Sequence, residues 1–302
     1  MIEVDANIAL NPQQQSAYDA MVRGENVAIF GDAGTGKSVV VKKFLKYSAL
    51  FGNTICLTPT GLAARNIGEA QTIHSFFNLN PGWVCGQKFI PDPRVMAILQ
   101  YVKTIIIDEI SMVRCDIFDL VEEYLRHGSS DHCEHPFGGK QIIVVGDFKQ
   151  LSPIVSDELV KEQLEMRYQS LYAFDSGAWP KANFQYYYLQ EVFRQNDHCY
   201  INILNSIRNN RNLQSAIATC NSRCIHVDNY DFLLNSPTLA LCTTRRLASE
   251  INSQTSSMLP GDYYSCQAIV TGDFPKDDYP TDYSLHLKVG MKVMVLANRR
   301  TQ

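Results

Sequence analysis

Residues Gly31-Asp32-Ala33-Gly34-Thr35-Gly36-Lys37-Ser38 carry the G-x-x-x-x-G-K-[ST] spacing of a phosphate-binding loop. Such a stretch can hold a polyphosphate. Its glycines let the backbone curl so that several N–H groups point inward, and a helix starting there adds positive potential. Gly34, Thr35, Gly36, Lys37 and Ser38 are the expected nucleotide contacts. Lys37 would reach the β- and γ-phosphates, and the Ser38 hydroxyl would hold magnesium. Two carboxylates form a second group, Asp108-Glu109. Beside a phosphate loop, the first acid binds magnesium and the next polarises the attacking water. A third group is Gly146-Asp147-Phe148-Lys149-Gln150, where Gln150 is placed to sense a γ-phosphate by hydrogen bonding.

These groups need elements that deliver them to one place. Val27-Ala28-Ile29-Phe30 is an apolar run of strand length before the phosphate loop, and Val39 to Leu45 continues as a helix. Thr104-Ile105-Ile106-Ile107 and Ile142-Ile143-Val144-Val145 are β-branched runs, as expected of strands buried on both faces of a parallel sheet. Each ends in polar residues, and ligands of open α/β sheets bind off that edge. The pattern alone predicts an ATPase layout. Thr54 to Thr60 is a further strand with a polar tip, followed by a helix from Gly61 whose small residues allow an extended ligand to approach. Gln71 to Phe77 combines hydroxyls, aromatics and His74, which taken alone reads as a structural histidine. Asn11 caps a helix that begins at Pro12 and runs to about Val22. Gln14 lies on its first turn. Its amide suits an adenine edge, and it also suits a solvated helix start.

The 302 residues suffice for two ordinary domains. With 27 Lys and Arg against 31 Asp and Glu, the net charge of −4 argues against coating duplex DNA electrostatically. It leaves room for a groove that holds one strand by polar and stacking contacts. No apolar run approaches the ~20 residues of a membrane span. The acidic start, Met1 to Asp5, lacks a signal peptide's pattern, so an intracellular location is expected. The odd count of nine cysteines reads as free thiols. Asp131-His132-Cys133-Glu134-His135 lacks a second spaced pair and reads as a polar loop rather than a zinc site.

Residues Asn78 to Arg94 are rich in proline and glycine and contain Trp83 and Phe89, either a small core or a surface wedge. Asp157 to Ser170 is expected to be helical, as is Tyr200 to Arg208. Arg194 is either a surface arginine or a cation brought to the γ-phosphate by a second domain. Leu239 to Thr244 is expected to be a strand, followed by a helix from Arg246 to Asn252. Leu259 to Ser284 is turn-rich, and two short strands are expected around Gly290.

Together these blocks resemble the Pif-one and RecD-like group of superfamily 1B DNA helicases, from Leu10 to Asn298. The residues that carry the resemblance include Thr58-Pro59-Thr60-Gly61-Leu62-Ala63-Ala64, Thr72 to Phe77, Asp108 to Met112, Phe137-Gly138-Gly139, Gly146 to Leu151, Val192 to Gln195 and Val289 to Met294. The resemblance implies an α/β fold of tandem RecA-like P-loop NTPase domains with parallel sheets, the second incomplete. The expected boundaries are 1–190, with a small inserted subdomain at about 78–98, and 191–302, ending where an SH3-like insertion begins.

It also implies ATP-driven 5'-to-3' movement on single-stranded DNA, unwinding of forked duplex, and action as a monomer in DNA repair, recombination and telomere maintenance. By that resemblance Gln14 reads adenine, Gln150 and Arg194 contact the γ-phosphate, and Pro59, Thr60, Gly61, Thr72 and His74 line the strand path. The group's late DNA-coupling and arginine motifs do not occur in this sequence, so ATP binding is expected of it without robust unwinding. The alternatives are a non-motor nucleic-acid-binding or regulatory protein and a phosphate-loop kinase. The Asp-Glu pair and the lack of an evident acceptor lid weigh against the kinase.

Overall fold

A computed structural model describes residues 9–51, 53–68, 70–79, 90–129, 132–155, 157–193, 197–227, 229–236, 238–270, 279 and 281–294. The chain divides into two compact units, Met1–Leu213 and Gln214–Gln302. The first unit is built on a six-stranded sheet in the order β3-β2-β4-β5-β1-β6. Its strands are β1 (Val27–Gly31), β2 (Thr54–Thr58), β3 (Ala70–Thr72), β4 (Thr104–Ile107), β5 (Gln141–Gly146) and β6 (Gln185–Leu189). Every pairing in it is parallel, with Val27 opposite Ile143 and Ile105 opposite Ile142.

Alternation along the strands fills two cores. Ile29, Ile106, Ile143 and Val145 face α1 (Pro12–Val22) and α2 (Lys37–Ser48), where Ala17, Met21, Val40 and Phe44 are buried. Ala28, Phe30, Leu57, Ile105, Ile107 and Val144 belong to the other core. It is shared with α4 (Ile73–Phe77), α5 (Pro93–Leu99) and α6 (Cys115–His127). Neighbouring residues of one strand point to opposite faces, so a continuous β-branched run serves both cores at once. Between β2 and β3 lies α3 (Gly61–Ile67). The helices α7 (Glu158–Glu165), α8 (Trp179–Ala182) and α9 (His198–Arg208) complete the unit.

Past Asp108-Glu109, Ile110 to Met112 forms a 3-10 turn and α6 starts at Cys115. The helix expected over Asp157 to Ser170 closes at Glu165. The first compact unit includes α9, whose Arg208 pairs with Asp32 and Asp147. Residues 80–89, with Trp83 and Phe89, lie outside the described residues.

The second unit holds most of α10 (Leu213–Arg223), then α11 (Phe232–Asn235) and α12 (Arg245–Met258). It also has an antiparallel ribbon of β7 (Tyr264–Gln267) and β8 (Ser284–Leu287). The strand expected at Leu239 to Thr244 is not formed, and Leu239 and Leu241 are 72% and 98% exposed. An apolar run makes a strand only where a neighbouring strand accepts its hydrogen bonds, and no described strand lies beside this one. Of the two strands expected around Gly290, Ser284–Leu287 forms, and Met291 to Met294 does not. Its partner, β7, falls in the stretch read as turns. Among the described residues no helix is long and apolar enough to cross a membrane.

Candidate nucleotide site and the neighbouring strand tips

The phosphate loop joins β1 to α2, and α2 begins at Lys37 itself. Gly34 and Gly36 both have positive φ, at 83° and 81°. At Gly36 this freedom is required twice over, because a Cβ there would also collide with Gln14 Nε2. The Lys37 ammonium donates to Gly31 O at 2.8 Å and Asp32 O at 3.0 Å. An ammonium has three N–H groups, so the arrangement braces the loop and leaves one donor for a phosphate. Burial lowers the Lys37 pKa, while the charges of Asp147, Glu109 and Asp108 raise it. Burial, with Arg208 beside it, outweighs those charges, and the net shift is downward. Thr35 is buried, and its hydroxyl donates to Asp32 O at 2.9 Å.

Gln14 is 3% exposed, not a solvated residue at a helix start. Its amide oxygen accepts from Asn11 N–H at 3.0 Å, while Asn11 Oδ1 accepts from Gln14 N–H at 2.8 Å, a reciprocal capping box. Its amide nitrogen donates to Thr35 O at 3.0 Å. Gln14 is therefore a strut between the start of α1 and the phosphate loop. One N–H and one lone pair remain for a ligand. On the far side, Phe193 N–H donates to Gly34 O at 2.9 Å, so the chain leaving β6 also grips the loop.

Asp108 follows β4 directly and is 7% exposed. Burial pushes its carboxyl up to about 6, although the Glu109 N–H donates to it at 2.9 Å. Glu109 adopts φ 54° and ψ 44°, a left-handed conformation that a non-glycine residue holds only under constraint from its surroundings. Ser38, exposed on the first turn of α2, and Asp108 offer oxygen donors, the type magnesium takes. The donor set fits that ion.

Asp147 directly follows β5, is 2% exposed and gathers several donors. Lys149 N–H and Gln150 Nε2 each donate to it at 3.1 Å. Arg208 holds both its oxygens, with Nη2 2.7 Å from Oδ1 and Nη1 on Oδ2. Arg208 Nε also lies 2.9 Å from Asp32 Oδ1 in the phosphate loop. Burial raises the Asp147 pKa, but hydrogen bonds from Arg208, Lys149 N–H and Gln150 outweigh it and hold the carboxyl below its ordinary range. Sequence reasoning missed Arg208 and the Asp32–Asp147 bridge. The only local signal was an arginine closing a helix. Gln150 is exposed at the same edge, and Arg194 lies outside the described residues.

At the β2–β3 side, Thr58 is opposite Thr72 in the sheet register. Pro59, Thr60 and Gly61 follow directly on Thr58 at the end of β2, and His74 lies two residues past Thr72 at the end of β3. The Thr60 hydroxyl caps α3 by accepting from Ala63 N–H at 3.3 Å. The Thr72 hydroxyl caps α4 by accepting from Ser75 N–H at 3.2 Å. Both hydroxyl protons stay available as donors. Burial, with Arg114 nearby, lowers the His74 pKa, so the imidazole is neutral near pH 7.

The family described as PIF1-like helicase matches residues 9–218. The chain is 31% identical to the Danio rerio ATP-dependent DNA helicase PIF1, over 97% of the chain and 44% of that protein. It is 30% identical to the Saccharomyces cerevisiae ATP-dependent DNA helicase RRM3, over 97% and 40%. A crystal structure of Bacteroides Pif1 bound to ssDNA superposes with a TM-score of 0.82 at 28% identity, covering 97% of this chain and 66% of that one. Another, of Bacteroides Pif1 with ADP-AlF3 and ssDNA, gives 0.77 at 28% identity, covering 93% and 64%. The chain thus spans less than half the length of these two curated relatives.

Proposed function

This chain belongs to the PIF1-like helicase family, and from that premise we propose that it forms the ATP-hydrolysing part of a motor that moves 5'-to-3' on single-stranded DNA and unwinds forked duplex. One observation carries the reading. The carboxyl edge of a single parallel sheet gathers Lys37, Asp108, Glu109 and the Asp147–Gln150 group.

Each side chain has a part. Lys37 and the loop N–H groups bind the β- and γ-phosphates. Ser38 and Asp108 hold magnesium, which when bound neutralises phosphate charge. Glu109 accepts the proton of the attacking water, and its constrained backbone keeps the carboxylate aimed. Gln150 hydrogen-bonds the γ-phosphate, and Gln14 turns its remaining donor and acceptor to adenine. Arg194 supplies a second cation to the γ-phosphate. Pro59, Thr60, Gly61, Thr72 and neutral His74 line the strand path, where hydroxyl and helix-end N–H donors meet DNA phosphates.

DNA-stimulated ATP turnover tests the proposal. Single-stranded oligonucleotide is expected to accelerate magnesium-dependent ATP hydrolysis. DNA binding indifferent to nucleotide, with no turnover, would favour the non-motor reading.

A further inference from the structure

Arg208 has no part in the chemistry assigned so far, yet its guanidinium pairs with two carboxylates at the site, Asp32 and Asp147. It closes α9, some sixty residues beyond β5, and its fork spans two separate loops. One arm reaches Asp32, in the phosphate loop. The other two nitrogens clasp Asp147, which in turn accepts from the Gln150 amide at 3.1 Å. Lys149 Nζ meets Asn209 Oδ1 at 2.5 Å, a second tie between the end of α9 and the same loop. Without Arg208, Asp147 would be a buried carboxylate held only by Lys149 N–H and Gln150, and Gln150 would lose its fixed anchor.

We propose that Arg208 is a positioning residue for the γ-phosphate sensor: acting through Asp147 it sets Gln150, and through Asp32 it sets Gln150's distance from the phosphate loop. The inference rests on the reading of this site as an ATP site. Arg208 need not touch nucleotide. A planar guanidinium is suited to the task because it can meet one carboxylate with two nitrogens and keep a third for another. A lysine retains the charge and loses the fork.

The test is nucleotide discrimination by the 302-residue chain. ADP and ATPγS affinities are measured with magnesium for the wild type, Arg208→Gln, Arg208→Lys, Gln150→Ala and the double variant Arg208→Gln/Gln150→Ala. ADP binding by the wild type checks the site itself. Arg208→Gln should leave ADP affinity within about twofold and weaken ATPγS about tenfold, the scale of one hydrogen bond to a charged group. Arg208→Lys should show the same selective loss, reduced in size, and it serves if the glutamine variant does not fold. In the Gln150→Ala background, Arg208→Gln should add nothing, because its effect runs through that amide.

Additive losses would overturn the proposal in favour of direct contact between Arg208 and the phosphate. Equal losses of ADP and ATPγS would overturn it in favour of a general bracing role. A wild type that binds ADP and does not prefer ATPγS would overturn the sensor itself. A wild type that binds neither would overturn the ATP site, and this inference with it.

Discussion

At the scale of single residues, the site is decided by how each charge is compensated. Asp147 illustrates the sign. Its folded-state pKa is depressed, so its contribution to stability is fully present above the unfolded carboxylate value of about 3.9 and is lost as pH falls through the folded value. Asp147→Asn should therefore be less stable at neutral pH, with a stability curve that is flatter on the acid side. Thermal melts between pH 7 and pH 3 check this, and parallel curves would contradict it. Asp108 runs the other way. Burial raises its pKa to about 6, so in the metal-free protein the unfolded state binds fewer protons between about pH 4 and 6, and stability falls as pH rises across that window. Asp108→Asn should remove that slope. A variant whose slope matches the wild type would refute the assignment.

At the scale of elements, the phosphate loop is locked from several sides: Gln14 through Thr35, Phe193 through Gly34, Arg208 through Asp32. Gly36→Ala strains a φ of 81° and displaces the Gln14 amide. It should cost about 1–3 kcal/mol in stability and weaken nucleotide binding, as read from denaturant unfolding and titration. An unchanged midpoint would mean that the strut is dispensable.

The same elements mark how far the sequence could be read. The phosphate loop and the strands β1, β4 and β5 were legible because their signals are local: glycine spacing and unbroken β-branched runs. The capping of α1 was legible at Asn11 and Pro12. The strut from Gln14 to Thr35 and the Arg208 bridge were not, because both join residues far apart in sequence and leave no periodic trace. Leu239 to Thr244 has the pattern of a strand and forms none, since an apolar run carries no information about whether a partner strand exists. β7 was hidden in a stretch where Gly, Asp and Pro dominate the pattern.

At the scale of the whole molecule, the proposed motor would hold DNA with a chain whose net charge is −4. The proposed strand path relies on Thr60, Thr72 and a neutral His74 rather than on lysines and arginines. Single-strand affinity should therefore fall only gently with salt, since each neutralised phosphate contributes a slope of about −0.7 on a log–log plot. A steep dependence would point to a cationic track elsewhere. Any coupling between nucleotide and DNA must be reciprocal. The factor by which DNA changes ATPγS affinity equals the factor by which ATPγS changes DNA affinity.

Nucleotide binding depends above all on the proposed phosphate loop, Gly31 to Ser38. Its most direct test is titration of a fluorescent ATP analogue, with magnesium, into the wild type and Lys37→Ala. The predicted result is saturable binding by the wild type and a loss of about tenfold or more in the variant, which removes a charged donor from the phosphates. Equal affinity for the two proteins would contradict the assignment of this loop as the ATP site.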